Sequence, residues 1–173
     1  MMGLITRNRL IGLALAALVY AVDQWIKGYV TWTLMLPEKG KIDLLPFFDL
    51  TWVENHGVSL GMLTADSMEM RWGLVALTGV IALVVLVWIM REKLLADILG
   101  LSLVLGGAAG NIDDRIIHGF VVDYADFHIG TFRPFLVFNL ADAAITIGVL
   151  IILARSFLSG EKPEAKAQTG EAA

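Results

Sequence analysis

Between Gly106 and Asp142 the chain gathers five aspartates, two asparagines and two arginines, flanked by segments apolar enough to lie in a bilayer. The stretch reads GGAAGNIDDRIIHGFVVDYADF, then a short hairpin-like connection, then FNLAD. A carboxylate at the centre of a membrane helix costs on the order of 2.5–3.5 kcal/mol. Aspartates in such a place are therefore candidates for function. Asp123 and Asp142 fall at the boundary of the apolar segments. Two carboxyls brought close together cannot both ionise cheaply, so they share one proton. One of them then takes a proton from a water while its protonated partner polarises a carbonyl. The chemistry open to this pair is metal-free hydrolysis of a peptide bond beside a membrane, as in an intramembrane aspartic protease.

Each candidate also has a structural reading. Asn139-Leu-Ala-Asp142 has capping-box spacing, with Asn139 as the cap and Asp142 reaching back to it. That role is compatible with chemistry, because a helix N-terminus stabilises an ionised carboxylate. Asp123 would then be the partner more easily kept protonated. Asn111-Ile-Asp-Asp114 has the same spacing but falls at the end of a helix. Asp123 lies in the apolar run Phe120–Tyr124; it is either a solvent-facing residue of a surface strand or a desolvated acid whose pKa rises. Asp23, with Gln24 beside it and Lys27 four residues on, reads either as an interfacial ion pair with a snorkelling lysine or as inward-facing support for the site. Asp97 reads as a first-turn charge at the far end of its helix.

Gly57-Val-Ser59-Leu-Gly61, with His56 adjoining, matches a nucleophile elbow, but that motif needs the strand–turn–helix of an α/β-hydrolase. No such alternation exists here. There is no H-E-x-x-H, and His56, His118 and His128 are too scattered for a metal site; they read as interfacial residues. Gly106-Gly107-Ala-Ala-Gly110 lacks the Lys-Ser/Thr of a phosphate loop. Its small residues instead permit close helix approach.

The elements that must position these groups follow from composition. Of 173 residues, 57% are hydrophobic and 17% charged, and the mean hydropathy is +0.73, which places the chain among membrane proteins. A net charge of −4 gives no nucleic-acid footprint, and the absence of cysteine excludes disulfides and thiol nucleophiles. Four segments reach spanning length: Leu10 to Val30, Trp72 to Met90, Leu94 to Ile112 and Phe135 to Ala154. The first resembles a signal peptide, with Arg7 and Arg9 before it and Val19-Tyr20-Ala21 as a conceivable cleavage site. Apolar character resumes at Trp25, Ile26, Tyr29 and Val30, so it is read as a retained span.

Lysines and arginines number seven in the 31 residues on the side of the termini and five in the 63 residues of the two long loops. The bias predicts both termini cytoplasmic and both loops, about 31–71 and 113–134, facing outward. Phe48–Glu54 alternates at period two, with Pro46 suggesting an edge strand. In Phe120–Ala125, Phe120, Val122 and Tyr124 share one face and Asp123 the other. The expected fold is a membrane all-α protein: four transmembrane helices in residues 1–159 under a small extracytoplasmic β-sheet or loop cap. Residues 160–173 read as a disordered cytoplasmic tail. A transporter relaying ions through its carboxylates is the rival from another class, though no internal repeat supports it. A non-catalytic scaffold is the third possibility.

Five blocks make the sequence recognisable: Asp23-Gln24 with Lys27; Glu54-Asn55-His-Gly57-Val-Ser59-Leu-Gly61; Gly106-Gly-Ala-Ala-Gly110-Asn111-Ile-Asp-Asp114-Arg115; Val121-Val122-Asp123-Tyr124; and Phe138-Asn139-Leu-Ala141-Asp142. Over nearly its whole length, tail excluded, the chain resembles the lipoprotein signal peptidases (signal peptidase II). The resemblance implies an aspartic endopeptidase of the bacterial inner membrane, with its site toward the periplasm. Such enzymes cut the signal peptide from prolipoproteins just before a diacylglyceryl-modified cysteine, without a cofactor. It implies Asp123 and Asp142 as the catalytic pair. Asp23, Asn55, Gly57, Asn111, Asp114, Arg115 and Asn139 would shape or support the site. It further implies lipid-modified prolipoproteins and membrane lipids as partners, with a monomer as the expected state. Leu60 stands where an aromatic is common and Tyr124 where Phe is usual.

Overall fold

A computed structural model describes residues 6–57 and 68–158. Among the described residues, four helices are long and apolar enough to cross a membrane. The first comprises α1 (Arg7–Gly28) and a π-helical turn, Tyr29–Thr33, that continues it. The others are α3 (Met68–Arg91), α4 (Leu95–Ile117) and α5 (Leu140–Leu158). Between them lie a single-turn helix α2 (Leu36–Lys39) and the strands β1 (Lys41–Leu45), β2 (Phe48–Asn55) and β3 (Val121–Phe127). The strands form one antiparallel sheet in the order β1-β2-β3.

α4 is the central helix, packed against α1, α3 and α5. Its glycines set those distances, as the small-residue run predicted. A methyl group at Gly106 would come within 2.6 Å of the Ala16 carbonyl oxygen, and one at Gly107 would collide with the Ala141 carbonyl. At Gly110 it would collide with the Asp23 carboxylate. The backbones of α1 and α5 thus approach α4 closely where the polar residues begin. α3 is apolar all round and mostly exposed, as suits a helix facing lipid.

The element ends differ from the sequence reading in ways that matter. α4 runs on to Ile117, so Asp113, Asp114 and Arg115 are helical rather than part of an outer loop. A cluster of charges ends a helix only when water must solvate it; here Asp114 is buried against other helices. α5 starts at Leu140, not Phe135. Phe138 instead bridges β3 at Ala125 through backbone hydrogen bonds, which stops helix formation before Asn139. Pro46 does not mark an edge strand: it sits in the β1–β2 turn, and β2 is central. α1 passes unbroken through Val19-Tyr20-Ala21.

Asp97 does more than sit in a first turn. Its carboxylate takes two hydrogen bonds from the Arg155 guanidinium, joining the ends of α4 and α5. Beside this pair, Val85 and Ile89 of α3 pack against Ile98 and Leu101 of α4. At the opposite end of the bundle, Val30 and Leu36 pack under Leu50, Val122, Tyr124 and Ala125, seating the sheet on α1. Ser59, Gly61 and Leu60, and the tail from 160, lie outside the described residues.

Candidate active site

Alternation along β3 sends Val122 and Tyr124 into the core below the sheet and Asp123 to the other face. Asp123 is nevertheless only 2% exposed, because the start of α5 and the end of β2 close over it. Of the two readings of this residue, burial favours the desolvated acid over the solvent-facing one. Asn55, diagonal to Asp123 across the β2–β3 pairing, donates its side-chain amide to Oδ2 at 3.0 Å. Its own Oδ1 accepts from the Gly57 N–H. Asn139 donates to Asp123 Oδ1 at 2.6 Å.

Asp142 stands in the first turn of α5. The capping box forms as its spacing predicted: Asp142 N–H donates to Asn139 Oδ1 at 2.9 Å and Asn139 N–H to Asp142 Oδ2 at 3.2 Å. Two other side chains complete the helix start. Leu140 N–H donates to the Tyr124 hydroxyl, and Ala141 N–H to Asp23 Oδ1. Four N-terminal amides, orphaned in a bare helix, are thus satisfied by groups from α5, β3 and α1. The other oxygen of Asp142 accepts from Asn111 Nδ2 at 2.8 Å, and Asn111 Oδ1 accepts from Asn139 Nδ2 at 3.2 Å. Asn111 and Asn139 therefore form a bridge of amides with one catalytic candidate at each end. Asn111–Asp114 is not a cap; it puts two polar side chains from the last two turns of α4 on the site.

Burial pushes the Asp123 carboxyl up to about 6, and the nearby charge of Asp142 pushes the same way. The amides of Asn55 and Asn139 oppose that rise without cancelling it. Arg115 is a guanidinium that interacts electrostatically with both Asp142 and Asp123. It donates to the Asn111 carbonyl, while its buried Nε has no hydrogen-bond partner among the described residues.

Beneath the pair lies a polar cluster that the sequence reading found only in part. Lys27 is 3% exposed and does not snorkel to the interface. Its ammonium contacts Asp23 at 2.7 Å, Asp114 at 2.9 Å and Asn111 Oδ1 at 3.2 Å. Asp114 accepts from the Val122 N–H and from Gln24 Nε2, which fixes β3 to α4 and α1. The i,i+4 spacing of Asp23 and Lys27 identified the ion pair, but not that a second helix would bury it. Lys27, Gln24 and Tyr124 thus join Asp23, Asn55, Gly57, Asn111, Asp114, Arg115 and Asn139 around the two aspartates. His56 and His118 flank Phe120 on the far face, and His128 lies 2.8 Å from Asp49, away from the pair.

Comparison with known proteins points one way. The family model described as signal peptidase (SPase) II matches residues 15–158. A lipoprotein signal peptidase of Sphingopyxis alaskensis is 53% identical over 151 residues, 87% of each chain. One of Rhizorhabdus wittichii is 50% identical over 165 residues, 95% of each. A solved chain described as a bacterial membrane enzyme superposes with a TM-score of 0.73 at 26% identity, covering 90% of this chain and 94% of its own. The transporter reading gains no support from these relatives.

Proposed function

This chain belongs to the signal peptidase II family, and from that premise we propose that Asp123 and Asp142 are an aspartic dyad removing signal peptides from prolipoproteins. The observation that carries the assignment is the amide bridge. Two acids from separate elements are tied to Asn111 and Asn139, which hydrogen-bond to each other. No cation is hydrogen-bonded to either acid among the described residues. A lysine or arginine paired with each would hold both ionised. Neutral amides position the acids and leave one proton to be shared.

Asp142, accepting from Asn111 and from the Asn139 backbone, is the base that takes a proton from water. Asp123, held near 6 by burial and by Asp142, carries the shared proton to the scissile carbonyl. Water attack gives a tetrahedral intermediate; it collapses as the leaving nitrogen is protonated, and the dyad returns to one proton. Arg115 adds a fixed positive charge where oxyanion charge develops. The site lies where the spans meet the sheet, so a diacylglyceryl-modified cysteine could present its peptide while its acyl chains stay in the bilayer. An apolar groove of about 350 Å³ bordered by Phe135, Leu136, Phe138 and Ile147 reaches Asp142 and suits the apolar part of such a substrate. The charge bias supports an orientation with both termini in the cytoplasm and the site on the periplasmic side of the inner membrane. A monomer suffices, because one chain contributes both acids.

Purified protein incubated with a diacylglyceryl-modified precursor peptide should cleave it before the modified cysteine, and Asp142→Asn should not. Cleavage by the variant at the native rate would contradict the assignment.

A further inference from the structure

On the face of the sheet opposite Asp123 lies a cavity of about 550 Å³, bordered by the end of α1, α2 and the face of β2 that carries Trp52 and Glu54. Lys27 and Asp114 form its floor, Trp32, Trp52 and Phe120 stand along its wall, and Glu38 and Glu54 reach into it. Three observations define what would fit. The Lys27 ammonium has its three protons directed to Asp23, Asp114 and Asn111, so the floor offers no free cationic donor. The unspent charge is negative and sits on Glu38, which has no ion-pair partner among the described residues; Glu54 accepts from Trp52 Nε1 at 3.4 Å and has His56 Nε2 at 3.5 Å, a pair that adds a full charge only when the imidazole is protonated. Aromatic faces beside carboxylates attract a cation with an apolar stem. Finally, the wall residue Trp32 belongs to the membrane span Arg7–Thr33 and is 74% exposed, a placement typical of the aromatic belt at head-group depth.

We propose that this cavity binds the ammonium head group of an aminophospholipid. The ammonium sits between Glu38 and Glu54 against the Trp52 ring, and the glycerol and acyl chains leave past Trp32 into the bilayer. The bound head group lies against Lys27 and Asp114, on the reverse of the cluster that holds β3 and α5. The assignment is independent of the dyad.

The test uses the full chain in detergent, given equal amounts of phosphatidylethanolamine and phosphatidylglycerol with identical acyl chains, and reads the retained lipid by native mass spectrometry. Phosphatidylethanolamine should be preferred by about tenfold, the preference expected of one cation–π contact joined to a carboxylate contact. Glu38→Gln combined with Glu54→Gln should bring the ratio to near parity while precursor cleavage continues, which shows the variant folded. Asp113→Asn, which removes one negative charge outside the cavity, should leave the preference in place. Equal retention by the native chain would overturn the proposal. So would a preference that survives the double substitution, or one lost equally in Asp113→Asn.

Discussion

Asp123 and Asp126 lie three residues apart on β3, and each is 2% exposed, yet their surroundings are opposite. Asp126 receives Arg133 Nε at 3.0 Å and the Thr51 hydroxyl at 3.0 Å. In the neighbouring strand its register partner Asp49 has Lys41 at 2.7 Å, which holds it below the ordinary carboxylate range. Asp123 receives two amides and faces a second acid. Burial alone therefore does not mark a catalytic carboxylate. What separates the two is whether a cation is supplied with the burial.

Four predictions press on that contrast, beginning with the largest effect. Asp123→Asn and Asp142→Asn should each lower kcat by about 10²–10⁴-fold or more, the range of a lost general acid or base, whereas Asp126→Asn should retain cleavage. Assaying the three variants on one lipidated precursor checks this, and comparable losses in all three would erase the distinction.

Lys27→Met leaves Asp23 and Asp114 buried without their shared cation, at a cost of about 3–5 kcal/mol. The melting temperature in detergent should fall steeply, and an unchanged value would show that the cluster is not structural.

Asp123→Asn should do the reverse. Because the folded pKa near 6 lies above the ordinary 3.8, the native state binds the proton more tightly than the unfolded chain. Stability is then full below about pH 4 and declines as pH rises to about 6. Removing the charge should recover about 1–2 kcal/mol at pH 7, after allowing for one hydrogen bond disturbed by the new amide. Melting curves at pH 4 and pH 7 should show the gain only at the higher pH.

The smallest effect is expected at Arg133→Gln. Its half-exposed side chain makes the pair with Asp126 a weak one, visible as a small drop in melting temperature with activity retained.

Much of this contrast could be read from the residues. Local signals carried the four spans, the alternation that turns Asp123 away from Val122 and Tyr124, and the reciprocal cap of Asn139 and Asp142. The missing parts were those that depend on which elements meet. Nothing local says that Lys27 will be enclosed by α4, or that Asp97 will find Arg155 on a helix 58 residues away. Asp113, Asp114 and Arg115 resembled a loop because helix and loop differ there only in what solvates the charges. Asp126 reads no differently from Asp123 in the sequence for the same reason: its neutralising arginine arrives across a turn, and spacing does not reveal that Arg133 pairs with Asp126 while no cation is hydrogen-bonded to Asp123 among the described residues.

The shared proton is tested most directly by titrating the Asp123 carboxyl itself, by carbon-13 NMR of labelled protein in a membrane mimetic, in the native chain and in Asp142→Asn. The account predicts a midpoint near 6 that moves down when the Asp142 charge is removed. A midpoint near the ordinary 3.8, unmoved by that substitution, would contradict it.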